Sequence, residues 1–508
     1  MLPMTAPFSR PPRGLRHCVG RRLLPWLLPG LLAACAAPPP GPEPAVAALP
    51  ERYPAAPQGR PAAEPPPALD WASLFADPDL LRLQAAALAA NSDLKTSLAK
   101  VEAARAAAGL QQAATLPLVA LGGSGVRAHT RLPLDALPPP LSTLTQGIDP
   151  NITLSHYAAG LALSSYEIDF WGKARAQNDA ARAQYLASEE AQQAFRIGLL
   201  ALVTDTWLQG LELQERLALA RATLANNAES DRIMRRRQQV GLVSELETSQ
   251  TAALVASTRS DLAALERQWA ANRALLTQLT HKSDPPRARG QRPLTGLLAE
   301  PLPAGLPSAL LLRRPDLRAA EQQLHAARAN VQAARAAFLP SIALTAAGGV
   351  GSSALGDLFS HGTGSWLFLP QIVLPIFDGG RREQNLALAQ ARRHQAVAQY
   401  EAGIQTAFRE VSELLAAQHW LAEQESAART LAAAQTERAR LAGKRYERGY
   451  AGYFEVLDAE RGRFAAEQGL VQLHRARLST RIGLFKALGG GATVPVAATP
   501  PNAQGSAL

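Results

Sequence analysis

The stretch NSDLKTSLAKVEAARAAAGLQQAATLP, Asn91 to Pro117, is echoed by RPDLRAAEQQLHAARANVQAARAAFLP, Arg314 to Pro340. Aligned without gaps, the two share an Asp-Leu pair, an Ala-Ala-Arg-Ala centre and a closing Leu-Pro. A repeat of this size points to a duplicated structural unit. In both copies the helical spacing ends at Leu-Pro. LPLVALGGSGV then carries small and apolar residues, and ITLSHYAAGLALSSYEIDF alternates, with Tyr157, Ala159, Leu161 and Leu163 on one side and Ala158, Gly160, Ala162 and Ser164 on the other. That period of two predicts a strand hairpin with one apolar face. The second copy predicts the same, with Ile342, Leu344 and Val350 on one face of SIALTAAGGVGS and Trp366, Phe368, Ile372 and Leu374 on one face of SWLFLPQIVLPIF. Each strand is roughly ten residues, the length that crosses a bilayer core as a tilted β-strand.

From Gly172 to Asp284, and again from Ile376 to Val494, there is no proline. Apolar spacing continues through AFRIGLLALVTDTWLQGLELQERLALARATL, which predicts long amphipathic helices; Gly172 to Arg237 alone would run for about 100 Å. Each rod turns back at a glycine, Gly241 in RRRQQVGLVSELETSQ and Gly449 in GKRYERGYAGYFEVLDAE. These glycines are 208 residues apart, as are Gly172 and Gly380, whereas the helices before the hairpins repeat at 223. The 15 extra residues fall in the first hairpin, where an outward loop tolerates insertion. The expected order is helix, hairpin, long helix, turn and helix, twice, over 71–284 and 311–489, joined by a linker at 285–310 and followed by a tail at 490–508.

Hydrophobic residues make up 47% of the 508-residue chain but aromatic ones only 5%. Alanine supplies the difference, which suits rods packed closely side by side. The formal charge of +10 falls to +5 once Arg10, Arg13, Arg16, Arg21 and Arg22 are set aside. Those arginines precede the short apolar run Leu23 to Leu32, and together they read as an export signal, residues 1–34. The signal ends in LAAC, where Cys35 can take a diacylglycerol thioether and an N-acyl chain and so anchor a Pro- and Ala-rich tether at 35–70 in lipid. Cys18 lies in the part removed, so no disulfide or thiolate metal cluster is expected and no cofactor beyond the lipid on Cys35.

Four strands cannot close a barrel, and open strand edges find no partner in lipid. Two chains would supply eight strands and three would supply twelve; the strands alone leave both open. GLPSALLLRRPDLRAAEQQLHAARANVQAARAAFLPSIALTAAGG, RYERGYAGYFEVLDAE, LFADPDL, YEIDFWGKAR and the lipid-acceptor motif together resemble the outer-membrane efflux factors, over roughly Trp71 to Gly489. The likeness is to the lipoprotein branch that serves resistance-nodulation-division pumps. It implies a mainly α fold with membrane β: a homotrimer whose twelve strands form one outer-membrane barrel continuous with a periplasmic α-helical barrel. It further implies a periplasmic adaptor (membrane fusion) protein and an inner-membrane pump as partners, and a passive efflux duct rather than an enzyme.

The resemblance places the closed tunnel mouth at Tyr446, Glu455 and Asp458, with Glu247 as the first-copy equivalent of Glu455 and Arg236 set to hold a neighbouring carboxylate. Glu455 and Asp458 share a helix face, and threefold symmetry would make six carboxylates that favour cations. The sequence departs from the family pattern at Ala451, where some members carry an arginine. Val240, Gly241, Leu242, Arg448, Gly449 and Tyr450 are expected at the periplasmic tips, as adaptor contacts. An enzyme has little support: the nine histidines are scattered, and neither HExxH nor GxSxG occurs. RIMRRRQQV is a local basic run beside many acids, so nucleic acid is not an expected partner. The rival is a lipid-anchored structural coiled coil in the outer membrane, which the rods alone would satisfy but the paired hairpins would not.

Overall fold

The computed structural model describes residues 75, 77–131, 147, 149–282, 294–297 and 313–490. Cys35, the export signal, the 35–70 tether and the tail beyond 490 lie outside the described residues, as does most of the 285–310 linker. The elements run α1 (Pro78–Ala90), α2 (Ser92–Ala113), β1 (Val119–Arg131), β2 (Asn151–Ile168), α3 (Lys173–Gln239), α4 (Glu245–Thr280), α5 (Pro315–Ala336), β3 (Ser341–Ser352), β4 (Gly364–Val373), α6 (Arg381–Glu447) and α7 (Tyr453–Ala487). The chain divides into a sheet unit, Thr115–Ala176 with Val331–Leu388, and a helical unit formed by the rest of the described residues.

In the sheet unit the four strands are antiparallel in the order β1-β2-β3-β4, so the two hairpins meet at β2 and β3. Pairing aligns Leu121, Leu161, Gly348 and Trp366 in one cross-strand row, and Val119, Leu163, Ala346 and Phe368 in the next. The strict alternation of the sequence would send Tyr166 and Ile168 to the face opposite Leu163. A one-residue bulge between Leu163 and Tyr166, with Ser165 at φ 49°, prevents this. Ile168, Ile342 and Ile372 thereby form a third row on the same side. Leu374 falls beyond the end of β4. The apolar face is uncovered by the chain itself; Trp366 is 83% exposed. Its reverse carries small residues across β1, β2 and β3, with Ala120, Ala162 and Ala347 in one row and Gly122, Gly160 and Gly349 in the next, while β4 adds Leu367 and Leu369 to it.

In the helical unit α3 and α6 each have 67 residues, about 100 Å of helix. No proline occurs from Asp79 to Thr115, yet Asn91 interrupts the helix there. Its backbone turns extended at ψ 126°, its side chain accepts from Leu94 N, and it closes α1 while opening α2. Asn91 also donates to the Leu279 carbonyl at 3.3 Å, so a buried polar contact fixes the bend. Leu80, Leu83 and Ala87 of α1 are buried in the main core with Val203, Trp207 and Leu208 of α3, Leu276 of α4 and Leu478 and Phe485 of α7. Within the segment read as a linker, Leu294 is fully buried there and its N–H donates to Glu215 at 2.7 Å. Burial pushes the Glu215 carboxyl above its ordinary value, against that hydrogen bond.

Candidate gate and turns

Both rods end in the same backbone device. Gly241 has φ 73°; its N–H donates to Gln238 O, and the Leu242 N–H reaches back to Arg237 O, each at 2.8 Å. Gly449 has φ 76°; its N–H donates to Tyr446 O, and that of Tyr450 to Arg445 O, each at 2.9 Å. This is the left-handed glycine cap that satisfies the last carbonyls of a helix. Val240, Leu242 and Tyr450 project from the caps with most of their surface exposed, and so do Leu246 and Phe454. The last two are equivalent positions, 208 apart, which the motif reading passed over because they lie just inside α4 and α7.

The two returning helices start differently. Ser244 caps α4 and Glu247 closes the box, its carboxylate accepting from Ser244 N–H at 2.8 Å. In the second copy Ser244 is replaced by Gly452, which has no side chain to cap with. Glu455, at Glu247's equivalent position, is thus released from capping and stands 3.8 Å from Arg445. One turn on, Asp458 is bonded by Arg438. Both carboxylates remain about half exposed.

Tyr446 joins the two copies. Its ring meets Tyr453 edge-on at 5.0 Å, and its hydroxyl accepts from Arg237 Nη1 at 2.6 Å. The Arg237 guanidinium lies 5.6 Å from the ring centre. Beneath are buried Met234, Tyr453 and Leu457. Burial raises the Tyr453 phenol above its ordinary value, against a hydrogen bond with Ser230. Arg236 is exposed, and its charge helps hold the Glu229 carboxyl below the ordinary value, after the hydrogen bond from Arg232. Within one chain the arginine that reaches Tyr446 is Arg237. Arg237, Arg438 and Arg445 were not singled out in the sequence because basic residues crowd both rod ends and only side-chain direction distinguishes them.

The sequence model of the outer membrane efflux protein family matches the chain twice, at residues 83–280 and 306–490. The chain belongs to the outer membrane efflux protein family. As a member of that family it is an efflux protein of the outer membrane. It is 40% identical to outer membrane protein OprJ of Pseudomonas aeruginosa, over 83% of this chain and 86% of that one. It is 41% identical to the toluene efflux pump outer membrane protein TtgF of Pseudomonas putida, over 83% and 85%. Among solved structures it is similar to the open-state MtrE outer membrane channel of Neisseria gonorrhoeae, with TM-score 0.78 and 33% identity over 89% of this chain and 98% of that one. The outer-membrane channel OprN gives TM-score 0.79 at 26% identity, covering 89% and 99%. The two matched segments of the outer membrane efflux protein are the two copies read from the Asn91 and Arg314 repeats, and each contains one hairpin and one glycine-capped rod.

Proposed function

We propose that three copies of this chain form a passive exit duct of a tripartite efflux system, with twelve strands closing one barrel in the outer membrane. The observation that carries this reading is the four-stranded sheet with apolar rows across one face and with β1 and β4 at its two edges. In lipid such edges must be sealed by further strands, and the rows containing Leu161, Trp366 and Ile372 are suited to face hydrocarbon while the reverse face, small-residued across β1 to β3, lines the lumen. Twelve strands leave an opening, where eight would be filled.

The helices continue the duct into the periplasm, and Cys35, acylated after removal of residues 1–34, anchors the 35–70 tether in the same membrane. The chain catalyses nothing; an inner-membrane resistance-nodulation-division pump supplies substrate and energy through a periplasmic adaptor. The exposed apolar turns around Val240, Gly241 and Leu242 and around Arg448, Gly449 and Tyr450 support adaptor docking, with Leu246 and Phe454 widening each patch. Tyr446, Glu455 and Asp458 form the gate, Arg236 bonds a neighbouring copy's carboxylate in the closed state, and Glu247 stays with its cap. The test is conductance in a planar bilayer together with the mass of the protein in mild detergent. A trimer that conducts supports the duct; a particle that never conducts supports the lipid-anchored coiled coil instead.

A further inference from the structure

Each strand joins a helix at the same end of the sheet, beside Val119, Ile168, Ser341 and Val373, so Arg131 and Asn151 mark the opposite end. The apolar face of β1 carries Val119 and Leu121, then Gly123 and Gly125, then Arg127, His129 and Arg131, all exposed. Apart from Glu167 at the helix end, Arg127 and Arg131 are the only formally charged residues in the four strands. Their cross-strand partners are Ser155 and Asn151, and His129 Nδ1 lies 2.9 Å from Thr153 Oγ1, so this face offers hydroxyls and an amide but no acid. Asp149, just before β2, accepts instead from the Asn151 N–H and side-chain amide, at 2.8 and 3.1 Å. Among the described residues neither arginine has an acidic partner.

The cross-strand rows fix the depth of these charges. Tyr157 shares a row with Gly125 and Ser352, and its ring fills the space over Gly125, where a Cβ would come within 3.0 Å of Tyr157 Cδ1. From the Ile168 row to the Tyr157 row β3 runs from Ile342 to Ser352. That is about 34 Å of strand, or about 25 Å of height at the tilt of an outer-membrane barrel, which matches its apolar band. Tyr157 then stands at the outer edge of the hydrocarbon, where aromatic girdles lie, with Arg127 about 5 Å and Arg131 about 15 Å beyond it. At that height an arginine escapes the cost of lipid burial and meets headgroups. Resting on the barrel reading above, we propose that Arg127 and Arg131, with His129 between them, bind a phosphorylated glycolipid of the outer leaflet. The two arginines, about 14 Å apart along the strand, suit a headgroup with two separated phosphates, and a guanidinium holds a phosphate through two parallel N–H donors. A lipid is the occupant because the same face continues below into the rows of Leu161 and Trp366, which take its acyl chains.

The experiment titrates the full-length protein in mild detergent with lipid A bearing two phosphates, and reads occupancy by native mass spectrometry. Arg127→Gln with Arg131→Gln should raise the lipid concentration for half occupancy about tenfold or more, the loss expected for two cations at an anionic headgroup layer. Arg127→Lys with Arg131→Lys keeps both charges and should retain most of the binding. Lipid A stripped of its phosphates should bind the unaltered protein as weakly as intact lipid A binds the Gln variant. Equal binding by the Gln variant, or by the stripped lipid, overturns the site, and displacement by inorganic phosphate at equal concentration assigns it to a free anion instead. Conductance and mass are measured on the same samples. Conducting trimers whose lipid occupancy ignores both arginines overturn the site and leave the duct standing; a chain that is monomeric in mild detergent overturns both.

Discussion

Gly160 of β2 and Gly349 of β3 oppose each other where the two hairpins meet, and a Cβ on Gly160 would lie 2.5 Å from the Gly348 carbonyl oxygen and 2.7 Å from Gly349 Cα. No side chain yields at this contact, because both neighbours are backbone. Gly160→Val is therefore expected to destabilise the protein by about 1–3 kcal/mol or to abolish the sheet. A lowered denaturation midpoint and a reduced β-signal in circular dichroism check this. Gly122→Ala, in the same row but with open space around its Cβ, should leave both unchanged.

The Arg237–Tyr446 bond ties the end of one rod to the end of the other. Tyr446→Phe keeps the ring against Tyr453 but removes the acceptor, so closure should weaken by about 0.5–1.5 kcal/mol, the worth of an exposed hydrogen bond. The readout is a higher resting conductance in planar bilayers; an unchanged open fraction would show that the bond plays no part in closure.

Each carboxylate of the proposed gate faces an arginine of its own chain, Arg445 for Glu455 and Arg438 for Asp458. Glu455→Gln with Asp458→Asn should weaken cation preference, read as a reversal potential nearer zero under a salt gradient. Arg438→Gln should strengthen it, because Asp458 is then left uncompensated. Identical reversal potentials in both variants would place these groups away from the ion path.

Arg314 is buried and bonds Asp316 twice, at 2.6 and 3.0 Å, and Glu410 at 2.8 Å. Burial opposes ionisation of Asp316, but Arg314 outweighs it and holds the carboxyl below its ordinary value of 3.8. The unfolded chain thus takes up the proton first, so the pair contributes fully above that value and its contribution is lost as pH falls through the lower folded one. Arg314→Met should cost about 1–3 kcal/mol at neutral pH. It should also flatten the acid limb of the stability curve, measured by thermal unfolding across pH.

His474 of α7 is buried beside Glu425 of α6, 3.3 Å away, and Arg429 and Arg477 also bind that carboxylate. Burial lowers the imidazole below its ordinary 6.5, and the two arginines add to this against the pull of Glu425. The folded chain therefore resists protonation, and stability should fall as pH drops through 6.5. His474→Gln should reduce the loss of thermal midpoint between about pH 7.5 and about pH 5. An equal loss in both proteins would assign the acid sensitivity to other groups.

Much of the fold was legible in the residues because periodicity encodes it directly. Proline-free runs of amphipathic spacing give α3 and α6, and alternation gives the hairpins. Gly241 and Gly449 mark the caps since only glycine takes φ near 75° without strain. The break at Asn91 was not legible, because a helix can continue through asparagine, and here its cap on Leu94 N and its buried bond to Leu279 hold it in the extended conformation instead. Nor was the bulge at Ser165, which sends Tyr166 and Ile168 to the same side as Leu163 and overrides strict alternation. At the proposed gate, Glu455 and Asp458 were visible as an i, i+3 pair, while their arginines were not.

The amino-acid order by itself determined the duplication, the rod lengths and the positions of the turns, because these follow from local spacing and from the conformations each residue allows; the strands, expected at about ten residues, reach 13 in β1 and 18 in β2. Only the tertiary structure decided that α5 is buried while its near-copy α2 is bare, and which arginine meets Tyr446. Those outcomes depend on what lies across from each helix, and two similar stretches of one chain cannot both occupy the same place beside α3.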